Sequence, residues 1–194
     1  QAIFNSLGPW ILDCSVLELF AGTGTLSLEC LSRGAASAVC VEKSSKHASY
    51  IRRNTKALET NIEIRVQCAL RSVKQLAEAN RAFDFICADP PYGDTSLAWD
   101  RRVEGWVALA RAALKPTGSL WVFGSLRSFM ATADHFANAG LRIAQEVIWE
   151  KQNGTGFHND RFKRVHELAV QFYPAETAWR DIYNDVQTTP DATA

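Results

Sequence analysis

Glycines at positions 22 and 24 follow the apolar run Val16-Leu17-Glu18-Leu19-Phe20 and precede Thr25 and a helical stretch; this arrangement restricts the chain more than any other feature. A strand that runs into a Gly-x-Gly turn and out into a helix needs backbone without Cβ atoms where it reverses sharply and where a ligand comes close. Any tight strand-to-helix connection meets that description, so two further positions narrow it. Glu42 closes the next apolar run, Ala38–Glu42, twenty residues after Gly22, where a carboxylate can accept hydrogen bonds from ribose hydroxyls. Position 27, where a dinucleotide fingerprint places its third glycine, is Ser27. A nucleoside without phosphates therefore fits better than NAD, and an NAD oxidoreductase is disfavoured.

Around this turn, short apolar runs alternate with longer amphipathic segments, the pattern of an α/β domain with a largely parallel sheet. Strands are expected at Val16–Phe20, Ala38–Glu42, Ile62–Val66, Phe83–Ala88, Ser119–Phe123, Arg142–Trp149 and His166–Tyr173. Helices are expected at Thr25–Arg33, Ser45–Leu58 (capped by Ser44 or Ser45), Val103–Leu114 and Ser128–Ala139. Lys115-Pro116-Thr117-Gly118 reads as a turn, and Lys151–Arg164 as a polar loop. One domain over residues 1–174 is expected, followed by a polar, partly ordered tail over 175–194. Trp121 and Trp149 fall on strands and read as core.

Phe85-Ile86-Cys87-Ala88-Asp89-Pro90-Pro91-Tyr92 sets a carboxylate, two prolines and an aromatic ring at the end of a buried strand, where open α/β sheets bind their ligands. The prolines fix φ and leave a stiff turn with outward carbonyls. An exocyclic amine is a poor nucleophile because its lone pair is delocalised into the base. Asp89 and the Pro90 carbonyl, accepting one hydrogen each, would favour a pyramidal nitrogen, with Pro91 stiffening the turn and Tyr92 offering a flat face to a flipped base. A proline-rich turn with an incidental Asp explains the stretch only while it is considered apart from the glycine turn.

Glu18-Leu19-Phe20-Ala21-Gly22-Thr23-Gly24 resembles the first motif of class I methyltransferases. The resemblance implies a Rossmann-like domain, with a seven-stranded, mostly parallel sheet and helices on both faces. It also implies an S-adenosylmethionine cofactor held by Glu18, Phe20, Ala21, Gly22, Gly24, Thr25, Glu42, Lys43 and Ala69. Many relatives hold the adenine amine with an acidic or amide residue after the third strand; here that stretch reads Gln67-Cys68-Ala69-Leu70, which points to a backbone contact near Ala69. Asp89-Pro90-Pro91-Tyr92 resembles the signature of amino-group methyltransferases that act on adenine N6, cytosine N4 or guanine N2.

The two halves of the chain resemble different branches. From Gln1 to Tyr92, including Leu31-Ser32-Arg33-Gly34-Ala35, Val41-Glu42-Lys43 and Asn54-Thr55-Lys56-Ala57-Leu58, the chain is similar to bacterial 16S rRNA guanine-N2 methyltransferases. Trp99-Asp100-Arg101-Arg102, the run Leu114–Ser125, Trp149-Glu150-Lys151 and the run Asn153–Glu167 resemble phage-type DNA adenine or cytosine amino-methyltransferases. In many of those enzymes the Asp-Pro-Pro-Tyr strand precedes the cofactor strand; here it follows, a permutation of the same sheet.

The substrate-side segments favour DNA, adenine N6 or cytosine N4, over small-subunit rRNA; a non-catalytic nucleic-acid-binding module of the same fold is the further alternative. Asn153, His158, Arg161, Lys163 and Arg164 are the candidate nucleic-acid contacts, amides and cations suited to phosphates beside a base pocket. Net charge offers no guide, since Lys plus Arg and Asp plus Glu are 21 each among 194 residues. No metal is expected: the five cysteines are odd in number, lack a Cys-x-x-Cys pair and share no ligand spacing with the four histidines. Reduced, buried thiols, no bilayer-spanning run and no basic-then-apolar leader lead to the expectation of a cytoplasmic monomer. The chain opens at Gln1 rather than Met, so further residues are expected upstream.

Overall fold

The structure is a computed structural model that describes residues 2–155, 160 and 162–182. Its strands are β1 (Ser15–Leu19), β2 (Ser37–Val41), β3 (Glu63–Arg65), β4 (Phe83–Ala88), β5 (Leu114–Gly124), β6 (Leu141–Thr155) and β7 (Arg164–Pro174). The helices are α1 (Ala2–Leu7), α2 (Thr25–Ser32), α3 (Ser45–Ala57), α4 (Ala69–Glu78), α5 (Trp106–Ala112) and α6 (Leu126–Asn138). All seven strands join one sheet in the order β3-β2-β1-β4-β5-β7-β6. Strands β1 to β5 run parallel to one another, while β7 runs antiparallel to both β5 and β6. This is the α/β, mostly parallel, seven-stranded sheet that the alternation of runs implied.

Period-two alternation of apolar side chains divides the core between the two faces. Leu17, Leu19, Ile86 and Val122 pack under α4, α5 and α6, with Phe136 stacked on Phe172 at 4.1 Å. Val16, Phe85, Cys87 and Trp121 pack on the other face with Ile3, Phe4 and Leu7 of α1, Cys30 of α2 and Ile51 of α3. Ser44 caps α3 by accepting from the His47 amide, and Ser125 caps α6 by accepting from that of Ser128.

Several boundaries differ from the sequence reading. α5 ends at Ala112, and Leu114 already pairs with Phe83. Lys115–Gly118 is therefore an irregularity inside β5 rather than a turn ahead of it. Gly118 is required there, since a Cβ would lie 2.9 Å from the Asp84 carbonyl oxygen and 3.0 Å from that of Phe83. Helices α1 and α4 have no counterpart in the sequence reading. The polar stretch from Lys151 is not a loop throughout, because β6 continues to Thr155 and β7 begins at Arg164. Trp149 lies on the edge strand and is 56% exposed, whereas Trp121 is fully buried. Of the cysteines, Cys68 is exposed and the other four are buried. Past Pro174 the described chain stays packed: Ile182 is buried and the Thr177 hydroxyl donates to the Pro116 carbonyl. The remainder of the tail lies outside the described residues. No helix among the described residues is long and apolar enough to cross a membrane.

Candidate functional site

The strand order reverses direction at β1, which pairs with β2 on one side and β4 on the other. A crevice opens where such a reversal leaves successive connections on opposite faces. Leu19 is the last residue of β1 and is level with both Val41 and Ala88. The glycine turn, Glu42 and Asp89 consequently emerge side by side. The Ala21 amide donates to the Val41 carbonyl at 3.0 Å and the Asp89 amide to the Leu19 carbonyl at 3.4 Å.

The glycine turn is built from three left-handed residues: Phe20 (φ 58°), Gly22 (φ 54°) and Gly24 (φ 73°). For Phe20 this conformation is strained, by about 1–2 kcal/mol. Its ring packs edge-on to Trp106 at 5.8 Å, which holds it there. The glycines differ in duty. A Cβ on Gly22 would meet nothing within 4 Å, so this position faces open space. On Gly24 it would come within 3.0 Å of Ile51, so that glycine admits α3 to the sheet.

Two acidic residues hold the turn. Glu42 is buried, and its carboxylate accepts from the Gly22 amide at 2.9 Å and the Ser44 amide at 2.7 Å. Glu18 is buried beneath the turn and accepts from the Ser27 amide at 2.8 Å, capping the first turn of α2. It shapes the loop from below rather than facing the crevice. Burial pushes the Glu18 carboxyl above the usual range, against the Ser27 and Cys40 hydrogen bonds. Thr25 opens α2 and Lys43 is exposed beside Glu42. Ala69 is buried at the start of α4, reached through β3, whose Arg65 carbonyl accepts from the Glu42 amide.

Asp89 is accessible from the crevice, yet protein crowds its other sides. That crowding raises its carboxyl above the usual aspartate range; the Tyr92 hydrogen bond and Lys151 pull it down, and Glu167 pushes it up. The Tyr92 hydroxyl donates to Asp89 Oδ1 at 2.9 Å. Burial, foremost, and then Asp89 and Glu167 push the Tyr92 phenol upward. The loop beyond Tyr92 is tied down by Asp100, a buried carboxylate that accepts from the Gly93 amide and from the amide and hydroxyl of Thr95. Arg102 Nε donates to the Tyr92 carbonyl at 3.1 Å. Pro90, Pro91 and Tyr92 border a solvent-open cleft of about 430 Å³ on the α5–α6 side, with Trp106, Phe129 and His135 among its walls. Asp89 is not part of that lining, and the charges of Lys151 and Glu167 on the β6–β7 hairpin act on its carboxyl.

The candidate nucleic-acid contacts are only partly brought together. Lys163 is exposed just ahead of β7. Arg164 pairs with Asp94 at 2.6 Å, which fastens the hairpin to the loop after Tyr92. His158 and Arg161 lie outside the described residues, as does the side chain of Asn153. Sequence reasoning missed the ion pair between Lys151 and Glu167, which needs the hairpin register to be seen.

Comparison with known proteins divides the chain as its motifs do. The family profile described as Conserved hypothetical protein 95 matches residues 1–121, and the one described as DNA methylase matches residues 83–194. Both cover β4 and Asp89–Tyr92. The chain is 34% identical over 99 residues to "Putative rRNA methyltransferase YlbH" of Bacillus subtilis, an alignment covering 50% of this chain and 54% of that protein. It is 30% identical over 117 residues to the type II methyltransferase M.HinfI of Haemophilus influenzae, covering 47% of this chain and 33% of that one. It thus spans about half the length of the first relative and a third of the second. Among solved structures, "Putative methyltransferase yhhF" of Escherichia coli aligns with a TM-score of 0.62 at 20% identity, covering 90% of this chain and 85% of that one. SMU.776, "a putative methyltransferase complexed with SAH", aligns with a TM-score of 0.65 at 12% identity, covering 83% and 46%. At these identities the structural likeness establishes the fold. The sequence matches establish the lineage: the chain belongs to the Conserved hypothetical protein 95 family through residues 1–121 and to the DNA methylase family through residues 83–194.

Proposed function

We propose that this chain transfers a methyl group from S-adenosylmethionine to an exocyclic amine of a nucleic-acid base, with DNA adenine N6 or cytosine N4 as the target. The observation that carries the reading is the pairing of β1 with both β2 and β4, which sets the glycine turn and Glu42 beside Asp89. The residues present fit the cofactor. Gly22 borders open space, and each Glu42 oxygen, having accepted one loop amide, retains a lone pair for a ribose hydroxyl. The backbone at Ala69, at the start of α4, would hold the adenine end. When bound, the cofactor would supply an electrophilic methyl on a sulfonium, whose S–CH3 bond breaks to leave a thioether as the N–CH3 bond forms and the amine gives up one proton to solvent.

The chain's own residues then act on the amine. Ionised Asp89 accepts one amine hydrogen and the Pro90 carbonyl the other, which draws the nitrogen toward a pyramidal shape and exposes its lone pair. The Tyr92 hydroxyl now occupies Asp89 Oδ1, so an entering amine must share that carboxylate or displace the phenol. The Asp100 and Arg102 ties keep the Tyr92 backbone fixed while its ring turns to stack on the base.

DNA is preferred because the DNA methylase match spans β5, β6 and β7, the strands beside the amine acceptor. A second reading, guanine N2 of small-subunit rRNA, draws on the YlbH likeness of the first half. Labelled methyl transfer to duplex DNA, single-stranded DNA and small-subunit RNA, followed by nucleoside analysis, separates them. Asp89→Ala is expected to bind the cofactor as wild type does while transfer falls by about two orders of magnitude. Normal turnover in that variant would refute the mechanism.

A further inference from the structure

Asp89 shares its face of the sheet with two charged groups that the chemistry above leaves unused. Ala88 is level with Val122, so Asp89 is level with Phe123, which pairs with Ala169 of β7. Alternation sends Phe123, Ala169 and Glu167 to the same side, and Asp89 follows directly on the last residue of β4. Trp149 pairs with Glu167 across the hairpin, and Lys151, two residues along, reaches the Glu167 carboxylate from that same side. Both charges act on Asp89, and Glu167 acts also on Tyr92.

The pair is largely covered, with Lys151 22% and Glu167 12% exposed. Covering two charges costs desolvation that a wholly solvated pair avoids. The ammonium has three donors and gives one to Glu167, whereas a Glu167 oxygen is already committed to Lys151. Lys151, the more accessible partner, is therefore the one equipped to meet a substrate, with a donor. Beside the amine of adenine or cytosine, the ring nitrogen (N1 or N3) carries a lone pair. Beside the N2 amine of guanine, N1 carries a hydrogen.

We propose that Lys151, aimed by Glu167, donates to the ring nitrogen next to the target amine and so admits bases in which that nitrogen is an acceptor. This rests on the amino-methylation reading and adds to it a residue that determines the base. Glu167 is a positioning residue, and guanine would set donor against donor.

The test uses DNA oligonucleotides in which 1-deazaadenine, with C–H in place of ring N1, replaces the target adenine. Wild type is expected to lose about tenfold or more in kcat/KM on the deaza substrate. Lys151→Met is expected to lose a comparable factor on adenine and little more on 1-deazaadenine, since both changes remove the same hydrogen bond. Lys151→Arg keeps charge and donors and is expected to retain discrimination between the two substrates. If Lys151 merely neutralises Glu167, Lys151→Met costs the same factor on both substrates, and the proposal falls. Indifference of the wild type to 1-deazaadenine overturns it without any variant. Methylation of guanine N2 alone overturns it while leaving amino-methylation intact; no transfer to any base overturns both.

Discussion

In the proposed mechanism the Asp89–Tyr92 hydrogen bond joins an acceptor that must be ionised to a ring that must move. A protonated Asp89 cannot accept from the amine with that oxygen, so activity falls as pH drops through its pKa. Crowding by protein raises that pKa above the value of about 3.9 for a free aspartate, so the acid limb of kcat/KM lies higher than an exposed carboxylate would place it. The groups facing Asp89 are Tyr92, whose hydrogen bond favours the ionised form, Glu167, which opposes it, and Lys151, which favours it. Tyr92→Phe removes a lowering influence and is expected to move the acid limb to higher pH. The ring face remains, so much of the activity at alkaline pH remains too. A pH profile in which the limb stays put or moves downward would show that the hydroxyl does not act on Asp89.

At the scale of elements, Gly118 shows how a local constraint can look like another one in sequence. Lys-Pro-Thr-Gly reads as a turn, yet the glycine is there because β5 passes close to the carbonyls at the start of β4. Gly118→Ala is expected to destabilise the fold by about 1–3 kcal/mol, seen as a lower denaturation midpoint. An unchanged midpoint would mean that the strand shifts freely. Features written as local chemistry were legible: glycines at left-handed positions 22 and 24, Ser44 as a cap, and the carboxylate and prolines closing β4. Features set by strand register were not. Trp149 reads as core because nothing in its neighbourhood says that β6 is an edge. The Arg164–Asp94 ion pair was not legible because its partners lie 70 residues apart. Helix α4 carries its apolar positions at Ala69, Val73 and Leu76, a helical spacing hidden among polar residues.

At the scale of the whole molecule, two family signatures join in one sheet without interrupting it. Strands β1 to β3 carry the glycine turn and Glu42, the cofactor side in the proposed function; β5 to β7 carry the hairpin charges, its substrate side. β4 lies between them and is covered by both family matches. Because the crevice is assembled from β1, β2 and β4 together, a ligand bound there favours the folded chain over the unfolded one. S-Adenosylmethionine at a free concentration of about 100 times its Kd is expected to stabilise the fold by about 2.7 kcal/mol, read as a rise in Tm. Glu42→Gln keeps one carbonyl acceptor but loses the second carboxylate oxygen, weakening the tie to Gly22 or Ser44 and the site for a ribose hydroxyl. It is expected to lower the Tm of the free protein slightly and to shrink the ligand-induced rise more. Lys43→Ala, an exposed neighbour, tests for a mere charge effect and should shrink the rise less. A rise with NADH and none with S-adenosylmethionine would reassign the glycine turn to a dinucleotide.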